Sequence, residues 1–563
     1  MDKPWLQSYP KNVPHEIDLS QFDCLVDMFI KSCDRYASRS AMANLGHTYT
    51  YATLKQAVFD FANFLRYELQ LKPGARVGIM MPNLIQYPVA LFGILCAGCV
   101  VVNINPLYTV HELEHLLQDS QATTVVVLAN MAHVLGAALA RTSVRHVVIT
   151  EVADCLPWYK RAPINFIIRR IKKMVPEYYI PHAYTYREAI ALGAKHHYEP
   201  YYHQPEDMAF LQYTGGTTGV AKAAVLSHRN IVANVLQCAE WLHAGGGDDR
   251  QDTVITGLPL YHIFSLTCNC MVFLKLGGLN VLVTNPRDIK TFIKILKSYP
   301  FTLITAVNTL FNALLHAPGF AQVDFSHMDC GLSGGMALQS HIAEKWYEVT
   351  GKTIIEGYGL TETSPVLTIN PRTEQVYTGY IGLPLPSTLL SIRDESDQAL
   401  PVGSTGEICA KGPQVMQEYW NRPDETQGIF TPLGWLRTGD VGIMTEEGFF
   451  KIVDRKKDMI IVSGFNVYPN EVEDVIASHS GVLEVGVVGK PDSVSGELIQ
   501  AYIVKKDNDL TEDMLKAHCL SHLTRYKVPK EFIFIDNLPK SNVGKVLRRE
   551  LKQLYQTQEA DGA

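Results

Sequence analysis

Tyr213-Thr-Gly-Gly-Thr-Thr-Gly-Val-Ala-Lys222 gathers three glycines, three threonines and one lysine into ten residues. Such a loop lays backbone N–H groups around an anion while hydroxyls and an ammonium reach the same oxygens, which suits a polyphosphate. It is not a Walker loop, because Val220 and Ala221 separate Gly219 from Lys222 where that pattern needs Gly-Lys-Ser/Thr. The same composition also serves as an ordinary strand-to-helix turn, so its reading depends on the rest of the chain.

Outward from this loop, short β-branched runs alternate with helical patterns. Strands are expected at Arg76–Met81, Val100–Asn103, Thr123–Leu128, His146–Thr150, Val254–Leu258, Asn280–Thr284, Thr302–Val307 and Lys352–Glu356, with amphipathic helices at His111–Gln118, Pro286–Ser298 and Leu338–Thr350. This rhythm predicts an α/β fold of layered, largely parallel sheets. After Phe450 the strands shorten (Met459–Val462, Val485–Val488, Ala501–Val504, Phe532–Ile535) and lysine-rich loops appear. We therefore expect a large N-terminal domain over 1–453, a charged junction at 454–458 and a small α+β domain over 459–563.

The 563 residues carry a formal net charge of −7, which argues against a nucleic-acid binder because phosphate neutralisation needs a basic surface. The N-terminus has no apolar core region of a secretory signal, and eleven cysteines without regular spacing fit a reducing cytoplasm. From Val77 to His111 there is no charged residue, but Pro82, Pro88 and Pro106 interrupt it. Buried strands around a packed helix at Pro88–Ala97 explain that stretch better than a membrane span.

Five more segments hold candidate chemistry. Pro259-Leu-Tyr-His-Ile-Phe264 sets one histidine among aromatics, an arrangement that also suits a core or rim position. Gly331-Leu-Ser-Gly-Gly335 is a small-residue turn that lets a flat ligand approach. In Glu356-Gly-Tyr-Gly-Leu-Thr-Glu-Thr-Ser364 a tyrosine between glycines offers a face for a base, and Thr361 and Glu362 suit either phosphate and Mg²⁺ or a helix cap. Gly434-Trp-Leu-Arg-Thr-Gly-Asp440, leading to Asp454 and Arg455, places a carboxylate after a tight turn, suited to a ribose. Pro539-Lys-Ser-Asn-Val-Gly-Lys545 is a turn whose lysine suits charge developing in a transition state.

In order and together, these segments resemble the acyl-adenylate-forming superfamily of acyl-CoA synthetases, luciferases and peptide-synthetase adenylation domains. The likeness runs from about residue 25 to 550. Leu433–Glu473 resembles the fatty acyl-CoA synthetase signature, and Met81–Leu95 and Val462–Glu471 are similar to the bacterial long-chain fatty acyl-CoA synthetases. The resemblance implies ATP-dependent formation of acyl-AMP from a long-chain fatty acid, then transfer to CoA. It implies that Thr214, Gly215, Gly216, Thr217, Thr218, Gly219 and Lys222 hold phosphates and that Tyr358 stacks on adenine beside Gly359 and Thr361. Asp440 and Arg455 would hold the ribose, and Glu362 with Thr214 would bind Mg²⁺. Lys545 and His262 would act in catalysis. Tyr261, His262, Phe264, Val307, Gly334 and Gly335 would line the acyl site. A mobile C-terminal domain would swing about Lys457, withdrawing Lys545 and bringing in Ser463, Gly464 and Phe465 to open the CoA path. Ala223 departs from the usual glycine. A homodimer is favoured. A related ligase that feeds a carrier protein instead of CoA usually has an insertion before the hinge, and none is evident.

From Cys155 to Pro176 the chain has six basic residues and no acidic one. On a helical wheel Ile164, Ile167, Ile168, Ile171, Met174 and Val175 share a face opposite Arg169, Arg170, Lys172 and Lys173, with Phe166 among the charges. This predicts a peripheral contact with the inner face of the membrane, or else a helix packed on the protein with solvated charges.

Overall fold

The computed structural model describes residues 3–214, 221–243, 250–373, 376–492, 494–541 and 544–561. Among them the strands form four sheets. One runs Glu418–Tyr419, Lys222–Ser227, Met208–Thr214, Val100–Asn103, Arg76–Met80, Thr124–Leu128, His146–Thr150 and Tyr184–Thr185. The second has at its centre the parallel strands Leu279–Leu282, Thr253–Thr256, Leu303–Ala306, Cys330–Gly334 and Ile354–Gly359. An antiparallel sheet of Leu389–Arg393, Gly406–Lys411, Leu436–Met444 and Phe450–Arg455 completes the large lobe. The fourth sheet, built on the long hairpin Val482–Asp492 and Gly496–Lys505, belongs to a smaller C-terminal lobe with helices Pro469–Ala477, Glu512–His522 and Arg548–Asp561. The expected layered α/β architecture with a small α+β C-terminal unit is what the chain adopts.

The uncharged stretch is core. Helix Gln86–Cys96 is buried on every side, and Phe92 stacks on Phe29 with ring centroids 4.4 Å apart. Each such large apolar side chain contributes about 1.5–3 kcal/mol by leaving water. No helix among the described residues is long and apolar enough to cross a membrane. All eleven cysteines are free and buried.

Local signals fix the element ends. Thr109 and Glu112 form a capping box that starts Val110–Ser120, and Gly351 at φ +67° ends Ser340–Thr350. The strand expected at Lys352–Glu356 begins at Ile354 and continues to Gly359, because the antiparallel neighbour Val366–Ile369 extends its pairing. The strand at Phe450–Arg455 pairs within the large lobe and runs two residues past the expected boundary.

The basic segment differs from its wheel. The helix Trp158–Phe166 passes into a π-helical turn Ile167–Ile171 and stops, rather than continuing to Val175. Arg169 turns to the protein and binds Glu151 through Nε (2.9 Å) and Nη2 (2.6 Å), leaving the solvated basic face. Trp158 and Ile171 are 73% and 65% exposed, and Phe166 and Met174 are exposed with them.

Candidate active site

Several candidate residues lie where the second sheet's parallel strands Cys330–Gly334 and Ile354–Gly359 end, the usual place for ligands in such sheets. Gly334 and Gly357 are register partners there. Gly359 is required by packing, since a Cβ on it would lie 1.8 Å from Pro365 O. The segment that follows forms a single 3₁₀ turn, Thr361–Thr363.

At the mouth of the first sheet, Thr214 and Lys222 face each other across the hairpin Met208–Thr214/Lys222–Ser227. Gly215, Gly216, Thr217, Thr218 and Gly219 lie outside the described residues. The Lys222 ammonium contacts the Glu425 carboxylate and sits 5.5 Å from the Tyr419 ring centre. Tyr419 O–H donates to Glu362 Oε1 at 2.5 Å. Ala223 is buried in its strand, and its carbonyl accepts from Trp420 N–H at 2.8 Å.

Asp440 and Arg455 are cross-strand partners, with Arg455 Nε 3.3 Å from Asp440 Oδ1. The Tyr358 hydroxyl donates to Asp440 Oδ2 at 2.7 Å, and Thr438 Oγ1 accepts from Asp440 N–H at 3.1 Å. Asp440 is buried while the Arg455 side chain remains half-exposed. This leaves a rigid carboxylate beside an open guanidinium.

The small lobe delivers Lys545 to the same place. A Cβ built on Gly335, whose φ is +82°, would lie 3.4 Å from Lys545 Cε and 3.8 Å from Nζ. Burial, then Arg455, pushes the Lys545 ammonium down to about 8, while Asp440 and Glu362 act to raise it. Gly544 packs on Val307 and Thr309, where a Cβ would meet Val307 Cγ2 at 3.3 Å. Val307 therefore lies at the junction of the lobes.

Tyr261, His262 and Phe264 are anchored from behind. Gln212 Nε2 donates to Tyr261 O at 2.8 Å, and Asn103 Nδ2 donates to Gln212 Oε1 at 2.8 Å. The Phe264 ring covers Gly334, with 3.1 Å to a Cβ built there. His262 Nδ1 accepts from Phe264 N–H at 3.4 Å, which leaves Nε2 as the N–H donor of a neutral ring. Burial, then Lys545, pushes its imidazolium down to about 3.

Tyr358, Asp440 and Arg455 are in direct contact, Lys545 lies against Gly335, Phe264 covers Gly334, and Glu362 and His262 interact electrostatically with Lys545. Lys457 is exposed at the junction, where partial desolvation and then Arg455 lower its ammonium. Ser463 and Gly464 (φ +50° and +82°) form the turn of a hairpin held on the small lobe's sheet by Ser463 N–H to Ser495 O, and Phe465 stacks on Tyr526. Tyr419, Glu425 and Thr309 escaped the sequence reading, being ordinary residues far along the chain from their partners.

Glu362 offers carboxylate oxygen and Thr214 a hydroxyl, a donor set that fits a hard cation sharing its shell with phosphate oxygens. No larger group of metal-ligating side chains occurs among the described residues.

Residues 29–420 match the family described as AMP-binding enzyme, and residues 471–545 match the AMP-binding enzyme C-terminal domain. The chain is 52% identical over 556 residues to a long-chain-fatty-acid–CoA ligase of Escherichia coli O6:H1, covering 98% of each chain. It is 49% identical over 554 residues to the protein of the same name from Haemophilus influenzae, again covering 98% of each. The solved structure of ATP-bound MatB from Rhodopseudomonas palustris matches with a TM-score of 0.82 at 28% identity, covering 94% of this chain and 99% of that one.

Proposed function

The chain belongs to the family of AMP-binding enzymes, and on that premise we propose that it joins long-chain fatty acids to CoA through an acyl-adenylate. A fatty carboxylate attacks the α-phosphorus of ATP and pyrophosphate leaves. The CoA thiol then attacks the acyl carbon, and AMP leaves with its oxygen. The observation that carries this reading is the meeting of Lys545 from one lobe with Gly335, Asp440 and Arg455 from the other.

Asp440, held by Tyr358 and Arg455, accepts the ribose hydroxyls, and the Tyr358 ring takes the adenine between Gly357 and Gly359. Thr214 and Lys222 serve the phosphates, together with the threonines and glycines of the loop between them. The Lys545 ammonium offsets charge that develops on the phosphate oxygens during displacement. Neutral His262 orients the fatty carboxylate by donating from Nε2, and the chain runs along Tyr261, Phe264 and Gly334. Mg²⁺, held by Glu362, Thr214 and the nucleotide itself, would supply further charge neutralisation.

For the second step the small lobe turns about Lys457, withdrawing Lys545 and presenting Ser463, Gly464 and Phe465 to the CoA path. Units of 1–453 and 459–563 joined by 454–458 are part of this reading. So is a homodimer, checked by the sedimenting mass.

The substrate also bears on location. Exposed Trp158, Phe166, Ile171 and Met174 beside Lys160, Arg170, Lys172 and Lys173 support docking of this cytoplasmic enzyme on an anionic bilayer at the inner membrane face. Each basic residue near such a surface contributes about 1 kcal/mol. Cosedimentation with vesicles of mixed phosphatidylglycerol and phosphatidylcholine should be lost in Trp158→Ser/Ile171→Ser; unchanged binding excludes this patch.

The catalytic reading is tested by AMP and pyrophosphate release with ATP, Mg²⁺ and a ladder of fatty acids, with and without CoA. CoA-dependent turnover that peaks at long chains supports it. A single pyrophosphate burst that CoA does not relieve points to a carrier-protein ligase, and no pyrophosphate with any acid removes the substrate assignment.

A further inference from the structure

Three residues beyond Lys545, Arg548 is enclosed between the lobes with its guanidinium engaged on each nitrogen. Nη1 lies 3.4 Å from both Asp454 Oδ1 and Asp458 Oδ2. Nη2 donates to Asn470 Oδ1 at 2.6 Å and Glu473 Oε2 at 2.8 Å, and Nε donates to Glu473 Oε1 at 3.2 Å. The Arg548 side chain is 15% exposed and that of Asp454 is 0% exposed. Asp454 is further fixed by accepting from Arg455 N–H at 2.7 Å and from Asn470 N–H at 2.8 Å.

These partners come from both sides of the junction. Asp454 is the penultimate residue of the large lobe's strand Phe450–Arg455, next to the arginine that pairs with Asp440. Asn470 and Glu473 lie on the first helix of the small lobe, Pro469–Ala477. Arg548 begins the last helix, and the loop before it is closed by Leu547 N–H to Pro539 O (2.9 Å) and Ser541 N–H to Lys545 O (2.7 Å). One guanidinium therefore fixes, in a single network, the strand that carries Arg455 and the loop that carries Lys545.

We propose that Arg548 is a positioning residue for adenylate formation: it locks the small lobe in the orientation that places Lys545 against Gly335. The proposal rests on the two-step reading given above. Three carboxylates meet at Arg548, and a buried ion cluster that loses its one cation is left uncompensated. Rotation about Lys457 would separate Asp454 from Asn470 and Arg548, so the same network opposes leaving the first-step orientation. All three guanidinium nitrogens of Arg548 are engaged by protein groups, so its role is to act through Lys545.

The test uses the full chain and the two half-reactions apart: fatty-acid-dependent pyrophosphate release, and thioester formation from supplied acyl-AMP and CoA. In Arg548→Ala the first should fall about 10²-fold, the loss that a displacement near 1 Å produces, with KM for ATP little changed. The second should stay at the wild-type rate or rise. Lys545→Ala/Arg548→Ala should be no slower in the first step than Lys545→Ala alone, because the two act as one unit. Should Arg548→Ala fail to fold, Asp454→Asn keeps the accepting oxygen and should show a milder split in the same direction. Equal loss in both half-reactions, or additive loss in the double variant, overturns the proposal. Failure of the wild-type protein to form thioester from acyl-AMP would instead overturn the two-step reading itself.

Discussion

Lys545 of the small lobe lies against Gly335 of the large lobe, so close that a Cβ added to the glycine would stand 3.4 Å from the lysine Cε. Gly335 also has a φ of +82°, which disfavours any side chain. Gly335→Ala should therefore both strain the turn and displace the ammonium. Fatty-acid-dependent pyrophosphate release is expected to fall about 10–10²-fold, with the thermal unfolding midpoint little changed. A variant with wild-type release would show that Lys545 needs no contact at this turn.

The Lys545 ammonium is pushed down to about 8 by burial and Arg455, so it loses its proton within an accessible pH range. On the proposed reading the charged form stabilises the transition state, so kcat/KM for pyrophosphate release should fall as pH rises through about 8. His262, pushed down to about 3, stays neutral throughout and adds no limb near neutrality. A profile that stays flat to pH 10 would remove the ammonium from the step.

Glu356 is a buried carboxyl whose Oε1 accepts from Leu338 N–H at 3.1 Å, and burial, then Asp474, raises it from 4.5 to about 8. The unfolded chain releases this proton near pH 4.5 while the folded protein keeps it to about 8. Stability from this group is thus full below pH 4.5 and declines between 4.5 and 8. Glu356→Gln keeps the accepting oxygen and cannot ionise. Its unfolding midpoint should exceed the wild-type value at pH 8, by an amount corresponding to ~2–4 kcal/mol, and match it near pH 4.5. A gain independent of pH would contradict the buried-acid account.

Glu425 occupies the Lys222 ammonium, which on the proposed reading serves the nucleotide phosphates. The pair is partly exposed, so its strength is at most about 1 kcal/mol, or about fivefold in binding. Glu425→Gln should lower KM for ATP by up to that factor, and Lys222→Ala should raise it. If Glu425→Gln leaves KM unchanged, the carboxylate does not compete with phosphate.

The alternation of β-branched runs and helices made the sheets legible, because buried parallel strands must be apolar throughout. His146–Thr150 and Val100–Asn103 fall where the sequence places them. The candidate site residues were legible where glycine, threonine and charge crowd into short stretches, as at Lys222, Asp440 and Lys545. They were not legible where distant ordinary residues meet. Nothing local marks Tyr419 as the donor to Glu362, or Asn103 and Gln212 as the support of Tyr261. Gly359 was read as freeing the tyrosine face, whereas its packing against Pro365 O also demands it. The length of the basic helix was not legible, because a wheel assumes one continuous α-helix and the chain leaves that geometry after Phe166.

The central claim is that one lysine, delivered by the small lobe, serves adenylate formation and not thioester formation. It is tested most directly in Lys545→Ala by measuring both half-reactions in one preparation. Pyrophosphate release should fall about 10²–10³-fold, as for loss of one transition-state donor, while thioester formation from supplied acyl-AMP and CoA proceeds at the wild-type rate. Parallel loss of both, or loss of neither, would contradict the account.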